Sequence, residues 1–119
     1  MSGLKFLLDT NIIIGILKQN KTAMDLIHSK RANMQNCAYS FVTRIELLSF
    51  PDISSTEINM IQEILDELHY LGCTTSIEDA AIAIRKKYRF KLPDAIISAT
   101  SRAHSLELLS LDQNLMKNH

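Results

Sequence analysis

The chain has no tryptophan and little of several other residue types: two cysteines, two prolines and three glycines in 119 residues. Cys37 and Cys73 stand apart, each among apolar or small neighbours, and make neither a CxxC pair nor a disulfide framework. Both are expected to be buried, reduced thiols, which fits a cytoplasmic protein. The four histidines show no ligand spacing such as HxxxH, which argues against a zinc site. With so little glycine and proline, nothing reads as a linker, and no repeat or low-complexity tract appears. One domain over residues 1–119 is expected, long enough to bury a core without staples. No apolar run approaches the roughly 18 residues of a membrane span. The apolar start, KFLLDTNIIIGIL, is split by Asp9 and followed by no small-residue cleavage site, so it does not read as a secretory signal. Net charge is zero, from 13 basic and 13 acidic residues, so any polyanion partner must be recognised through charge distribution rather than total charge.

What is present is an alternation of short apolar runs and helical patterns. Lys5 to Leu8, Asn36 to Tyr39, Tyr70 to Thr75 and Leu106 to Leu111 read as strands, apolar and without period-two alternation. Helices are expected from Asn11 to Lys18, apolar all round, and from Thr22 to Arg31, with Ala23, Met24 and Ile27 on one side. Ser40 offers an N-cap for a helix whose Phe41, Ile45 and Leu48 recur at helical spacing and which Pro51 stops. Ser54 or Ser55 caps the next helix, with a stripe of Ile58, Ile61, Ile64, Leu65 and Leu68. Ser76 with Asp79 suggests a capping box for the one after it. Pro93 pre-sets the first turn of another, and the tail from Gln113 adds a helical turn or two. Buried strands alternating with helices imply a three-layer α/β/α sandwich around a short parallel sheet of about four strands.

Taking an unpaired carboxylate out of water costs several kcal/mol in practice, on the order of 2–7 for a polar group and more for a charge. Asp9 and Asp112 nevertheless each close an apolar strand, and parallel strands deliver their ends to one rim, where ligands of such sheets collect. Glu46, between Ile45 and Leu47, and Asp94, before Ala95, Ile96 and Ile97, are two further acids in apolar settings. Each has a plainer reading. Asp94 complements a helix macrodipole, worth roughly 0.3–1 kcal/mol. Glu46 is a surface glutamate or a loose partner of Arg44, and Asp9 and Asp112 are helix caps. Taken together, four carboxylates on one rim repel one another unless a cation sits among them. Oxygen-only ligands favour Mg²⁺ or Mn²⁺, metals that assist in-line displacement at a phosphodiester.

The motifs LLDTN, RIELL, KLPDAIISATS and LLSLD, in that order from Leu4 to Leu115, resemble the PIN domain, and more narrowly the VapC type of toxin ribonuclease. LPDAIIxAT is the most specific of them and DTN the next. The resemblance implies a PIN-like fold and Mg²⁺- or Mn²⁺-dependent endonucleolytic cleavage of RNA, with Asp9, Glu46, Asp94 and Asp112 as the catalytic and metal-holding quartet. It implies supporting roles for Thr10 and Asn11, which would orient water or phosphate, and for Ser110, two places before the last acid. It also implies a small antitoxin partner and a homodimer. The family continues past its last acid into a fifth strand, for which the seven residues Gln113 to His119 leave little room, so either that edge strand is missing or the sequence is truncated there.

Setting the four acids aside leaves nine acidic residues against 13 basic ones, and the surplus is uneven. RKKYRFK places Arg85, Lys86, Lys87, Arg89 and Lys91 directly before Leu92-Pro93-Asp94. These cations suit phosphates, with Tyr88 or Phe90 available to stack on unpaired bases. The plainer reading is a helix C-terminus completed by cations, with Phe90 in the core. An apolar groove between IIIGIL and the Ile58 to Leu68 stripe would accept an antitoxin helix, although core packing explains most of those side chains. Two other functions compete. An aspartate-nucleophile phosphatase is disfavoured because Asn11, not aspartate, stands two places after Asp9. A catalytically degenerate PIN-like binding or scaffold module is the stronger rival, opposed by the presence of all four acids.

Overall fold

The structure, a computed structural model, describes residues 3–118. Strand β1 (Phe6–Leu8) is followed by α1 (Thr10–Leu17) and α2 (Lys21–Lys30), then by a 3-10 turn (Met34–Asn36) into β2 (Cys37–Ser40). Helices α3 (Phe41–Leu48) and α4 (Ser55–Glu67) lead to β3 (His69–Leu71), and α5 (Thr75–Tyr88) and α6 (Leu92–Ala103) to β4 (Glu107–Leu109). Helix α7 (Gln113–Asn118) follows, and His119, expected to extend it, lies outside the described residues. All strand pairs are parallel and the order is β3-β2-β1-β4. The chain therefore winds outward from β1 on one side and then crosses back to its other side. That reversal opens a crevice at the carboxyl ends of β1 and β4.

The sheet divides two apolar layers. Phe6 and Leu8 of β1 point into one, with Ile12, Ile13, Ala23, Leu47, Ile61 and Leu65 from α1 to α4. Leu7 points into the other, with Ile77, Ile84, Ala95, Ile97 and Leu115 from α5 to α7. Both faces of β1 are covered, which is why its sequence is continuously apolar. The three-layer sandwich and four-stranded parallel sheet are as the sequence implied.

Several local expectations need correction. In α3 the buried side chains are Thr43 and Leu47, whereas Ile45 is 57% exposed. The inward stripe of this short helix is set by its contact with α1, so the Phe41, Ile45, Leu48 series is not the core face. Strand β3 ends at Leu71, where its pairing with Ser40 ends, and the chain then turns to cap α5. The cap is Thr74, whose hydroxyl accepts from Ile77 N at 3.2 Å. Ser76 already has helical backbone, so no Ser76–Asp79 capping box forms. Cys37 is buried, and burial pushes its thiol up to about 11. Cys73 is exposed, because the loop after an edge strand has no layer above it.

Helices α1 and α2 approach so closely at Gly15 that a β-carbon there would run into the Ala23 side chain, itself fully buried. Gly15→Ala is expected to destabilise the protein by about 1–3 kcal/mol from overpacking, less up to about 1 kcal/mol regained in helix propensity. Adding Ala23→Gly should recover part of the loss. Urea denaturation of the single and double variants checks this, and a Gly15→Ala protein as stable as the parent would contradict the close packing.

Candidate active site

Asp9 leaves the end of β1 and serves as N-cap of α1, with extended backbone and only 6% exposure. Its Oδ1 accepts from Thr10 N at 2.8 Å, and its Oδ2 accepts from the Ser110 hydroxyl at 2.6 Å. Its own amide donates to Leu109 O at 3.0 Å, which ties the ends of β1 and β4 together. Burial pushes the Asp9 carboxyl above its ordinary value. The bonds from Ser110 and Thr10 pull it back, and the charges of Glu46 and Asp112 push it up again.

Ser110 is saturated. Its hydroxyl donates to Asp9 and accepts from Asn11 Nδ2 at 3.3 Å and from Asp112 N at 3.0 Å. Asn11 closes the ring, since its Oδ1 accepts from Leu111 N at 3.0 Å. The two polar residues after Asp9 thus point in different directions. Thr10 Oγ1 lies 2.8 Å from Glu46 Oε1 and 3.0 Å from Thr43 Oγ1. An ionised carboxylate only accepts, so the single Thr10 proton goes to Glu46 and the Thr43 hydroxyl is left to donate to Thr10. Thr43, fully buried, is the site residue that sequence reading missed. The available signal was its position one helical turn before Glu46, on the same face of α3.

Asp94 sits in the first turn of α6, after Pro93, and is half-buried. Burial, then the charges of Asp9 and Asp112, raise its carboxyl above the ordinary value, while Lys91 opposes them. Asp112 accepts from Leu115 N at 3.0 Å and so also caps α7. The fold therefore places Asp9 within electrostatic reach of Glu46, Asp94 and Asp112, and Asp94 within reach of Asp112, while the capping readings of Asp9 and Asp112 hold at the same time. No cation balances the group fully. The two ion pairs found among the described residues, Lys21–Asp25 and Lys30–Glu107, both lie on the surface.

Among the described residues no three Asp, Glu, His or Cys side chains converge closely enough to form a ready-made metal cluster. Each acid is held at its own element, three of them by the hydrogen bonds given above. The donor set still fits a hard cation. Mg²⁺ dehydrates reluctantly, keeps several waters and takes only one or two carboxylates directly, so a rim of spaced oxygens suits it better than a closed cage. Asp9 and Asp94, whose charged forms are the most disfavoured, would gain most from such a cation.

The basic run divides. Arg85, Lys86 and Arg89 line a shallow pocket with Ile82 and Phe90, Lys87 lies 5.1 Å from the centre of the Tyr88 ring, and Lys91 is the residue before α6. Phe90 is buried, with Tyr88 stacked on it at 5.6 Å. The plainer reading of Phe90 as a core residue is the correct one, and its ring is not available to a base.

Because folding raises Asp9 and Asp94, the folded metal-free protein holds protons that the unfolded chain has already released. Their contribution to stability is fully present below the ordinary carboxylate value and is lost as pH rises through the raised one. Metal-free protein is therefore expected to lose stability from this cause as pH rises from below the ordinary carboxylate value toward neutrality, and Asp94→Asn should shrink that loss. Thermal melts of both proteins in chelator check it. An identical pH dependence would remove the electrostatic coupling.

A family model of the PIN domain matches residues 6–118. A toxin-antitoxin complex from Klebsiella pneumoniae contains a chain 28% identical to this one, superposing over 92% of this chain and 88% of that one with a TM-score of 0.79. VapBC from Salmonella typhimurium, solved bound to DNA, is 19% identical over 96% and 91% of the two chains, with a TM-score of 0.78. FitAcB from Neisseria gonorrhoeae is 21% identical over 95% and 91%, with a TM-score of 0.74. These last two likenesses speak for the fold alone. No curated protein sequence matches the chain. With the family model spanning nearly the whole sequence and the fold shared with these structures, the chain belongs to the PIN domain family.

Proposed function

We propose that this protein is a VapC-type endoribonuclease that hydrolyses RNA phosphodiester bonds at the rim of Asp9, Glu46, Asp94 and Asp112, with Mg²⁺ or Mn²⁺ as cofactor. The observation that carries the reading is the four-carboxylate rim itself, in which Asp9 is buried and both Asp9 and Asp94 are raised. Stability alone gives no reason to gather uncompensated acids, whereas a bound cation does. A divalent cation there supplies positive charge against the phosphodiester oxygens and makes water a better nucleophile near neutral pH. Asp9 and Asp94 hold it, with Glu46 and Asp112 completing the negative field.

The remaining polar residues position that set. Ser110 fixes the Asp9 carboxylate and favours its charged form, Thr10 fixes Glu46, and Asn11 holds the backbone at Leu111 beside Asp112. Lys91 stands close enough to act on Asp94 and would attract an incoming phosphate. A small antitoxin is the natural partner, by likeness to the toxin-antitoxin complex from Klebsiella pneumoniae. An apolar groove of about 380 Å³ runs between α1 and α4, lined by Ile14, Leu17, Leu47, Phe50, Met60 and Ile61. It lies between the two stretches that the sequence marked for such a partner, and an amphipathic helix laid there would cover Phe50 and Met60, both half exposed.

Purified protein freed of any partner is expected to cleave RNA with Mg²⁺ or Mn²⁺, to stop in EDTA, and to lose at least ~100-fold in rate on Asp94→Asn, read by gel electrophoresis of several RNA classes. Intact RNA with either metal would sink the nuclease reading and favour a PIN-like binding or scaffold module. Ser110→Ala removes a bond that favours charged Asp9. The acid limb of the pH–rate profile should therefore move to higher pH, while an unmoved limb would show that Ser110 serves only the fold.

A further inference from the structure

The shallow pocket at the end of α5 is not used by the catalytic rim. It encloses about 450 Å³ and is lined by Ile82, Arg85, Lys86, Arg89 and Phe90, with no acidic residue among them. Its chemistry is divided. Ile82, 54% exposed, gives it an apolar floor, and three cations stand around it. Helix-end cations that merely complement a dipole need no apolar floor between them.

The pocket is also built. Arg85 Nε donates to Phe90 O at 3.2 Å, which holds the guanidinium against the turn into α6 and leaves its terminal nitrogens for another acceptor. Arg89 closes α5 in left-handed backbone, φ 56°, a conformation that favours glycine or asparagine. Only Phe90 to Pro93 separate Arg89 from Asp94, a span of at most about 17 Å between Cα atoms. Lys91, midway along it, already acts on Asp94.

We propose that this pocket is a subsite for the RNA strand: it takes one nucleotide about three to five positions from the cleaved bond, with its base against the exposed Ile82 and its phosphate among Arg85, Lys86 and Arg89. Lys91 then bridges the strand to the acidic rim. The proposal rests on the nuclease reading for the identity of the strand, and it deepens that reading by giving the substrate a path. The cations on the two sides of the turn, at the pocket and at Lys91, also counter the repulsion that the carboxylates present to a polyanion.

The test is binding of a fluorescent single-stranded RNA of roughly a dozen nucleotides to the full chain in EDTA, by anisotropy between about 50 and 200 mM salt. The variant Lys86→Gln/Arg89→Gly removes two cations, and glycine relaxes the left-handed position, so it should melt no lower than the parent. Its affinity should fall at least ~10-fold at low salt, with the slope of log K against log salt shallower by about 1.4. Lys18→Gln/Arg31→Gly makes the same charge change at the end of α1 and at the left-handed end of α2, and should leave the slope alone. Equal slopes in Lys86→Gln/Arg89→Gly and the parent, equal losses in both variants, or no binding by the parent at low salt would each overturn the proposal. The nuclease reading fails separately: cleavage absent while pocket-dependent binding persists removes the nuclease and keeps the subsite. Cleavage retained with an unchanged slope does the reverse.

Discussion

The bond from Ser110 to Asp9 joins the last strand to the first and buries a carboxylate where they meet. Much of the molecule depends on that junction. Burying Asp9 is tolerable only because two donors meet its two oxygens, and both donors exist only when β1, α1 and β4 are all in place. Ser110 in turn is held by Asn11 and by the amide of Asp112. A single hydroxyl therefore sets the Asp9 carboxylate, the entry to α1 and the turn that presents Asp112. Loss of either partner would leave a buried polar group unmet, which costs more than the bond itself contributes.

The same junction couples fold to electrostatics. Parallel strands aim their carboxyl ends at one rim, and the reversal of strand order beside β1 opens space there. Three acids lie at or just beyond N-terminal ends of helices, where unpaired amides favour negative charge: Asp9 before α1, Asp94 in α6, and Asp112 before α7. Glu46 is the exception. It comes from within α3 and needs Thr10 to hold it. The helix ends make the three aspartates tolerable, but they do not cancel the repulsion that raises Asp9 and Asp94, which on the proposed reading a bound cation relieves.

Much of this arrangement was legible in the sequence because it is written in local patterns. Continuous apolar triplets gave buried strands, their terminal aspartates gave the rim, and Ser40 and Pro93 marked helix starts. The groove beside α1 was legible as well, since IIIGIL has more apolar surface than one core contact can cover. What was not legible depended on contacts between distant elements. Which face of α3 turns inward is decided by α1, so Ile45 was misplaced and Thr43 overlooked. Thr74, Thr75 and Ser76 all carry cap-forming hydroxyls, and only the path of the chain out of β3 chooses Thr74. Cys73 resembles Cys37 in its neighbours, yet one follows an edge strand and the other begins a covered one.

The basic run shows how the fold can separate residues that one motif sets side by side. Seven residues with five cations and two aromatics suggested one surface with stacking rings. The fold takes Phe90 into the core, lays Tyr88 against it and turns Lys87 over that ring. The cations that remain fall on two sides of the turn, three around the pocket and Lys91 beside Asp94. On the proposed reading such a turn offers the RNA an anchor away from the acids and keeps Lys91 beside Asp94, so that affinity is supplied at a distance from the chemistry.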